Sequence, residues 1–169
     1  PSRYKIYNLA AANSKNSDFA PSDSKKDYRT ILFTSSREDA VGKEYDASWS
    51  GEKNTDLFEI TSDKKNKWSN PVDLPIPIST ESKEGTSCMD KKYSDMIFTR
   101  CDQGKGKVVM CKLYETKRTG PAVWAEPAMV SFCADSANYG QPSLSPDGSI
   151  MYFVSDREGG QGAHDIWMS

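Results

Sequence analysis

The chain contains one histidine and four cysteines, the residue types that most often carry nucleophilic or metal chemistry. His164 lies directly before a predicted strand, and one histidine without a fixed partner cannot complete a catalytic triad or a three-ligand metal site. Cys88, Cys101, Cys111 and Cys133 are 13, 10 and 22 residues apart, so they lack the close Cys-x-x-Cys pairs of zinc sites. We therefore predict no catalytic residue, no metal site and no cofactor.

A hairpin near the end of the chain indicates which elements position these residues. Residues 141–157 read Gln-Pro-Ser-Leu-Ser-Pro-Asp-Gly-Ser-Ile-Met-Tyr-Phe-Val-Ser-Asp-Arg. Pro146 fixes φ, Asp147 can bond to local backbone, and Gly148 tolerates positive φ, so the pattern predicts a tight turn. The apolar run that follows the turn predicts a strand.

Two less regular copies of this hairpin occur upstream. Phe33 and Phe98 occupy the place of Phe153, and each is followed by a second apolar strand. The copies are about 55 to 65 residues apart and show no helical periodicity, which is typical of four-stranded propeller blades. We predict an all-β fold, a β-propeller with four-stranded antiparallel blades, of which this chain forms a partial propeller of about three blades.

The predicted blades belong to one domain that covers residues 1–169. An outer strand is expected at 4–9, complete blades at 18–75 and 84–132, and an incomplete blade at 139–169. Because a closed ring needs at least about four blades, we expect the remaining blades on the full-length protein or on a second chain.

An insertion distinguishes the first blade from the others. It spans roughly residues 36–54, between the second and third predicted strands, and contains Tyr45 and Trp49. Loops that lengthen one blade alone are common recognition sites, so Tyr45 and Trp49 are predicted to bind a partner. Trp68 and Trp124 recur at the same place in two units, which favours packing between blades.

Other polar residues are predicted to build the repeat. Arg157 and Asp165 lie where a charge-assisted bond can tie the second strand to the third, and Arg37 and Asp56 match them in the first unit. The residues assigned to this structural role are Asp147, Gly148, Arg157 and Asp165.

The cysteines all fall in the second unit. Two disulfides among four cysteines allow three connectivities, and the spacing does not choose between them. Cys111 aligns with Phe58 and Trp167 of the other units, which favours a buried thiol there. We expect mostly free, buried cysteines.

Composition excludes several partners. The net charge is −2, and no run of lysine and arginine is interleaved with aromatic residues, so nucleic acid is not an expected partner. No apolar run approaches the ~18 residues of a membrane-spanning helix, so no transmembrane segment is expected.

The third unit carries a family resemblance. Residues 139–148, Tyr152–Arg157 and the Gly-Gly-Gln-Gly loop before Asp-Ile-Trp resemble the WD40-like repeat of TolB-type β-propellers. That loop, residues 13–19 (Asn-Ser-Lys-Asn-Ser-Asp-Phe) and the two Trp-x-x-Pro units are similar to the propellers of OmpA-family periplasmic lipoproteins of Bacteroidota, a family with a type IX secretion system component.

The resemblance implies a noncatalytic periplasmic scaffold that engages protein partners of the cell envelope, as part of an envelope or type IX secretion assembly. It also implies association with the outer membrane through parts of the protein outside this chain. The alternative is a carbohydrate-binding or glycan-active propeller, which would use acidic residues at the channel mouth and Tyr45 and Trp49 as stacking surfaces.

Overall fold

The computed structural model describes residues 3–42, 45, 51–103 and 109–169. These residues form twelve strands in three antiparallel sheets, together with one 3-10 turn at Ser131–Cys133 and no α-helix among them. The prediction of an all-β fold is confirmed.

The strands follow chain order within each sheet. Sheet one contains β1 (Asp18–Asp23), β2 (Thr30–Ser35), β3 (Asp56–Thr61) and β4 (Val72–Asp73). Sheet two contains β5 (Lys83–Met89), β6 (Asp95–Gln103), β7 (Val109–Gly120), β8 (Val123–Trp124) and β9 (Ala128–Met129), and both β8 and β9 pair with β7. Sheet three contains β10 (Tyr139–Leu144), β11 (Met151–Ser155) and β12 (Asp165–Met168).

The first predicted strand is not formed. Residues 4–9 pair with no strand of the described chain, and Ile6 and Tyr7 are 98% and 79% exposed. A strand needs an edge to pair with, and no described edge takes this segment.

The three sheets repeat one register. In each sheet the phenylalanine of the second strand lies opposite an aromatic residue of the third, in the pairs Phe33–Phe58, Phe98–Tyr114 and Phe153–Trp167. Tyr114 is therefore the equivalent of Phe58, and the predicted alignment of Cys111 with Phe58 is wrong by three residues. The error arises because the hairpin between the second and third strands of sheet two is longer than the alignment assumes.

Each first strand contains a β-bulge at the same place. Ala20, Thr86 and Gln141 have φ of 52°, 40° and 54°, and the pairing with the second strand shifts register around each of them. A β-bulge changes the local direction of the backbone. The backbone N–H of the bulged residue therefore points away from the hydrogen-bond ladder between the first and second strands.

The turns between the first and second strands are also repeated. Gly148 has φ of 75°, and Asp147 accepts the backbone N–H of Ser149 at 3.1 Å, as the Ser-Pro-Asp-Gly motif predicts. Tyr28 and Tyr93 hold the equivalent left-handed position in sheets one and two, with φ of 55° and 58°.

Apolar side chains fill the spaces between neighbouring sheets. Leu32 and Leu57 of sheet one pack with Met96, Phe98 and Trp124 of sheet two. Residues of sheets two and three meet in the same way in a second cluster of Leu113, Ile97, Tyr139, Phe153 and Trp167.

The two repeated tryptophans occupy equivalent places. Trp124 is buried between sheets one and two, as expected. Trp68 forms an isolated bridge with Ser62 and packs on the opposite face of sheet one, against a cluster that includes Phe33 and Phe58.

Candidate interaction face and junctions

The connections between second and third strands emerge at one end of all three sheets. Thr55 of sheet one, the Cys101–Cys111 pair of sheet two and His164 of sheet three line one cavity of about 540 Å³ at this end. We call this end the loop face and define it by the described residues within 36–55, 101–111 and 156–164.

Two of these connections are anchored by an aspartate. Asp165 accepts the backbone N–H groups of Gln161 and Gly162 at 2.9 and 3.1 Å. Asp56 accepts the backbone N–H of Val41 in the same way. An aspartate at the start of the third strand thus fixes the loop before it in sheets one and three.

The expected bond between Arg157 and Asp165 is not among the described contacts. The carboxylate of Asp165 instead accepts backbone N–H groups of the loop that precedes it. Arg157 instead lies over the ring of Trp167, 5.2 Å from its centroid. Arg37 likewise bonds not to Asp56 but to Asp18, at 2.8 Å. The expected bonds between these arginines and aspartates are therefore not found among the described contacts, and each residue has a different partner.

Sheet two anchors its loop covalently. Cys101 and Cys111 lie opposite each other on β6 and β7 and form a disulfide, so the expectation of mostly free cysteines is wrong for this pair. Cys88 and Cys133 are free. Burial raises the pKa of Cys88 to about 11 and also raises the pKa of Cys133, which keeps both thiols protonated at neutral pH.

Of the two predicted partner-binding residues, Tyr45 belongs to the loop face. Tyr45 is 57% exposed and forms an isolated bridge with Lys53. Trp49 lies outside the described residues. The described part of the insertion is well anchored, since Lys53 donates to the carbonyl oxygen of Glu38 at 2.6 Å.

The opposite end carries the turns between first and second strands, and we call it the turn face. Residues of all three turns, including Tyr28, Tyr93 and Asp147, line a cavity of about 1080 Å³ there. Bonds from Ser145 and Ser149 lower the pKa of Asp147 to about 2. Burial acts to raise the pKa of Asp90, but three backbone N–H groups of its turn outweigh burial and lower it. These carboxylates cap their own turns.

Neighbouring sheets are joined by a repeated hydrogen bond. The bulged N–H of Thr86 in sheet two donates to the hydroxyl of Thr34 in sheet one at 2.9 Å. The bulged N–H of Gln141 in sheet three donates to Thr99 of sheet two at 3.1 Å. We call the contact between sheets one and two the first junction, and that between sheets two and three the second junction.

The first junction contains three carboxyl groups, of which two are fully buried. Asp56 and Glu84 are 0% exposed, and the N–H of Glu84 donates to the carbonyl oxygen of Thr55 at 2.8 Å. Arg100 donates to Glu84 at 2.7 Å. Desolvation, the charge of Asp73 and the neighbouring Glu84 raise the pKa of Asp56 to about 8.

Asp73 is the third carboxyl group. Desolvation and the charges of Asp39 and Glu84 raise its pKa to about 6, although Ser79 donates to it at 2.6 Å and opposes the rise. Loss of contact with water is thus the largest cause of the raised pKa of both Asp56 and Asp73. A comparison of the repeats does not reveal this cluster, because its members lie on three separate strands.

The second junction has different charges in the same places. Lys112 occupies the place of Asp56, and Tyr139 occupies the place of Glu84. Lys112 donates to the carbonyl oxygens of Asp135 and Ala137, and the hydroxyl of Tyr139 donates to the Asp135 carboxylate at 2.7 Å. Burial and this bond to Asp135 raise the pKa of Tyr139 to about 12.

Comparisons with known proteins identify no family. No protein-family model matches the chain, and a search of curated proteins finds no significant match. Within the described ranges, no helix has the length and apolar character needed to span a membrane. The same residues contain no group of three or more histidine, cysteine, aspartate or glutamate side chains that could hold a metal ion.

Proposed function

We propose that the three sheets are successive blades of a β-propeller, and that the chain acts as a noncatalytic scaffold for protein partners in the periplasm, in a cell-envelope or type IX secretion assembly. The observation that carries the functional part is the loop face. Three loops of different length are each anchored at their base, and residues at these bases line one cavity. Rigidly based loops of unequal length are the usual form of a recognition surface.

The repeated junction supports the propeller. Both junctions use a threonine hydroxyl, a bulged N–H and a buried apolar layer in the same arrangement. On sheet three the equivalent layer is open, with Ile166 80% and Met168 70% exposed. A further sheet of the same kind would cover these side chains.

The state of the polar groups supports a noncatalytic role. The two free thiols have raised pKa values and are therefore poor nucleophiles. The carboxylates of Asp90 and Asp147 on the turn face are held by their own turns. The carboxyl groups of Asp56 and Glu84 are buried away from solvent.

The disulfide supports a periplasmic location. The Cys101–Cys111 bond closes the hairpin of sheet two, and structural disulfides persist mainly in oxidising compartments such as the periplasm. Attachment to the outer membrane through parts of the protein outside this chain belongs to the same proposal and follows from the family resemblance.

The test compares the two faces. Replacing residues 104–108 by a two-residue turn keeps both cysteines and shortens only the loop of sheet two. The matched control is Tyr28→Ala on the turn face, an exposed side chain. Each protein is used to capture partners from an envelope fraction, and the partners that wild type retains specifically are quantified by mass spectrometry.

We expect the shortened loop to lower partner retention by roughly tenfold or more, because a few central residues carry most of the affinity of an interface, and we expect Tyr28→Ala to retain the partner. If Tyr28→Ala alone lost partner retention, the assignment of partner binding to the loop face would be contradicted. Binding or hydrolysis of glycans without a protein partner would favour the carbohydrate alternative.

A further inference from the structure

The arginine of the first junction bonds to one of its three carboxyl groups. Arg100 is bonded to Glu84 and to the carbonyl oxygens of Pro77 and Ile78. Its described bonds include none to Asp56 or Asp73.

Asp56 also has an oxygen without a partner among the described residues. Its Oδ2 accepts the N–H of Val41, whereas its Oδ1 is buried and accepts no hydrogen bond from them. Glu84 is its buried neighbour across the junction, because the N–H of Glu84 bonds to the carbonyl oxygen of Thr55, the residue before Asp56. Because ionised carboxylates only accept hydrogen bonds, two of them can bond to each other only if one carries a proton.

The other groups around this pair do not replace the proton. The charge of Asp73 acts to raise the pKa of Asp56, and the charge of Asp39 acts in the same way on Asp73. Thr80 donates its hydroxyl to Glu84 at 2.6 Å. A proton on one of the two carboxyl groups supplies the donor that Oδ1 of Asp56 lacks among the described residues.

We propose that one proton shared between the carboxyl groups of Asp56 and Glu84 holds the first junction together, and that loss of this proton as the pH rises loosens that junction. The inference is independent of the proposed function, since it concerns the contact between two sheets and not the loop face. The second junction has no such pair in the described structure, because Lys112 and Tyr139 stand in the equivalent places.

The direction of the pH effect follows from the raised pKa of Asp56. The folded chain holds this proton up to about pH 8, whereas an unfolded aspartate releases it near about pH 4. The stabilisation is complete below the unfolded pKa and is lost as the pH rises through the folded pKa. One linked proton changes the folding equilibrium constant by up to about tenfold per pH unit.

The test is urea unfolding of the full chain from pH 5 to pH 9. For wild type we expect the folding equilibrium constant to fall steadily up to about pH 8. Asp56→Asn keeps the size of the side chain and supplies a permanent donor to Glu84, so the fall above about pH 7 should disappear and the folding equilibrium constant of the variant should exceed that of wild type at pH 9. A smaller fall below pH 7 should remain, because the pKa of Asp73 is raised to about 6. The matched control is Asp165→Asn, the equivalent loop anchor of sheet three, which should keep the wild-type slope.

An unchanged slope in Asp56→Asn, or a lost slope in Asp165→Asn, would overturn the proposal. If Asp56→Asn does not fold, infrared spectroscopy of wild type decides. The carbonyl stretch of a protonated carboxyl group should be present at pH 7 and vanish by about pH 9, and its absence at pH 7 would be equally decisive against the shared proton.

Discussion

At the first junction Asp56 and Glu84 are both fully buried, whereas at the second junction Lys112 and Tyr139 occupy the equivalent places. Both junctions use the same threonine-to-amide bond, at 2.9 Å in one and 3.1 Å in the other. The two junctions therefore share their backbone geometry and their apolar layer, whereas the charged residues between the sheets differ.

This difference changes how each junction responds to its surroundings. The pKa values of Asp56 and Asp73 are raised to about 8 and about 6, so the first junction has groups that titrate near neutral pH. Tyr139 has a pKa raised to about 12, beyond that range. Two contacts of the same geometry are therefore expected to behave differently between pH 5 and pH 9.

Removing the arginine of the first junction should have the largest effect. Arg100→Met leaves Glu84 buried without its cation, and we expect it to lower the free energy of unfolding by about 3–5 kcal/mol. Lys112→Met at the second junction removes bonds to carbonyl oxygens beside an exposed Asp135. We therefore expect it to lower the free energy of unfolding by only about 1 kcal/mol. Urea unfolding at pH 7 measures both, and equal losses would show that burial of charge does not distinguish the junctions.

Removing the repeated hydrogen bond should affect both junctions alike. Thr34→Val and Thr99→Val each leave a bulged N–H without its acceptor, which should lower the free energy of unfolding by about 1–3 kcal/mol. Thr99→Val should lie at the upper end of this range, because the hydroxyl of Thr99 also bonds to that of Thr86 at 2.8 Å. Val154 holds the same position in sheet three, where no described sheet packs, so Val154→Thr serves as the control and should change little. A large loss in the free energy of unfolding in only one of the two threonine variants would show that the two junctions are not equivalent.

Much of the fold can be predicted from the sequence, and the features that are not predicted have identifiable physical reasons. Gly148 and Asp147 form the turn that their types predict, and Trp124 packs between sheets as its recurrence indicates. The disulfide does not follow, because aligning Cys111 with an aromatic position hides its place opposite Cys101.

The charged residues of the first junction are harder to predict. Analogy with the third unit pairs Asp56 with Arg37, but the bonding partner of Asp56 is a backbone N–H of its own loop. Glu84 and Asp73 come from the next sheet and the outer strand. Contacts between repeats depend on which faces pack together, and a comparison of each repeat with its copies does not contain that information.

The smallest expected effect belongs to the second junction. Tyr139→Phe removes the hydroxyl that donates to Asp135 and keeps the buried ring, so we expect a loss of about 0.5–1.5 kcal/mol in the free energy of unfolding. The loss should be the same at pH 6 and at pH 9, because the pKa of Tyr139 is about 12. A loss that changed strongly with pH in urea titrations would mean that the second junction also titrates.

Hydrogen exchange at two amides tests the comparison most directly. The bulged N–H groups of Thr86 and Gln141 report on the first and second junctions in the same molecule. After correction for intrinsic exchange rates, we predict that protection of Thr86 falls between pH 6 and pH 9 while protection of Gln141 stays constant. Parallel behaviour of the two amides, whether both fall or both stay constant, would contradict a proton-dependent first junction.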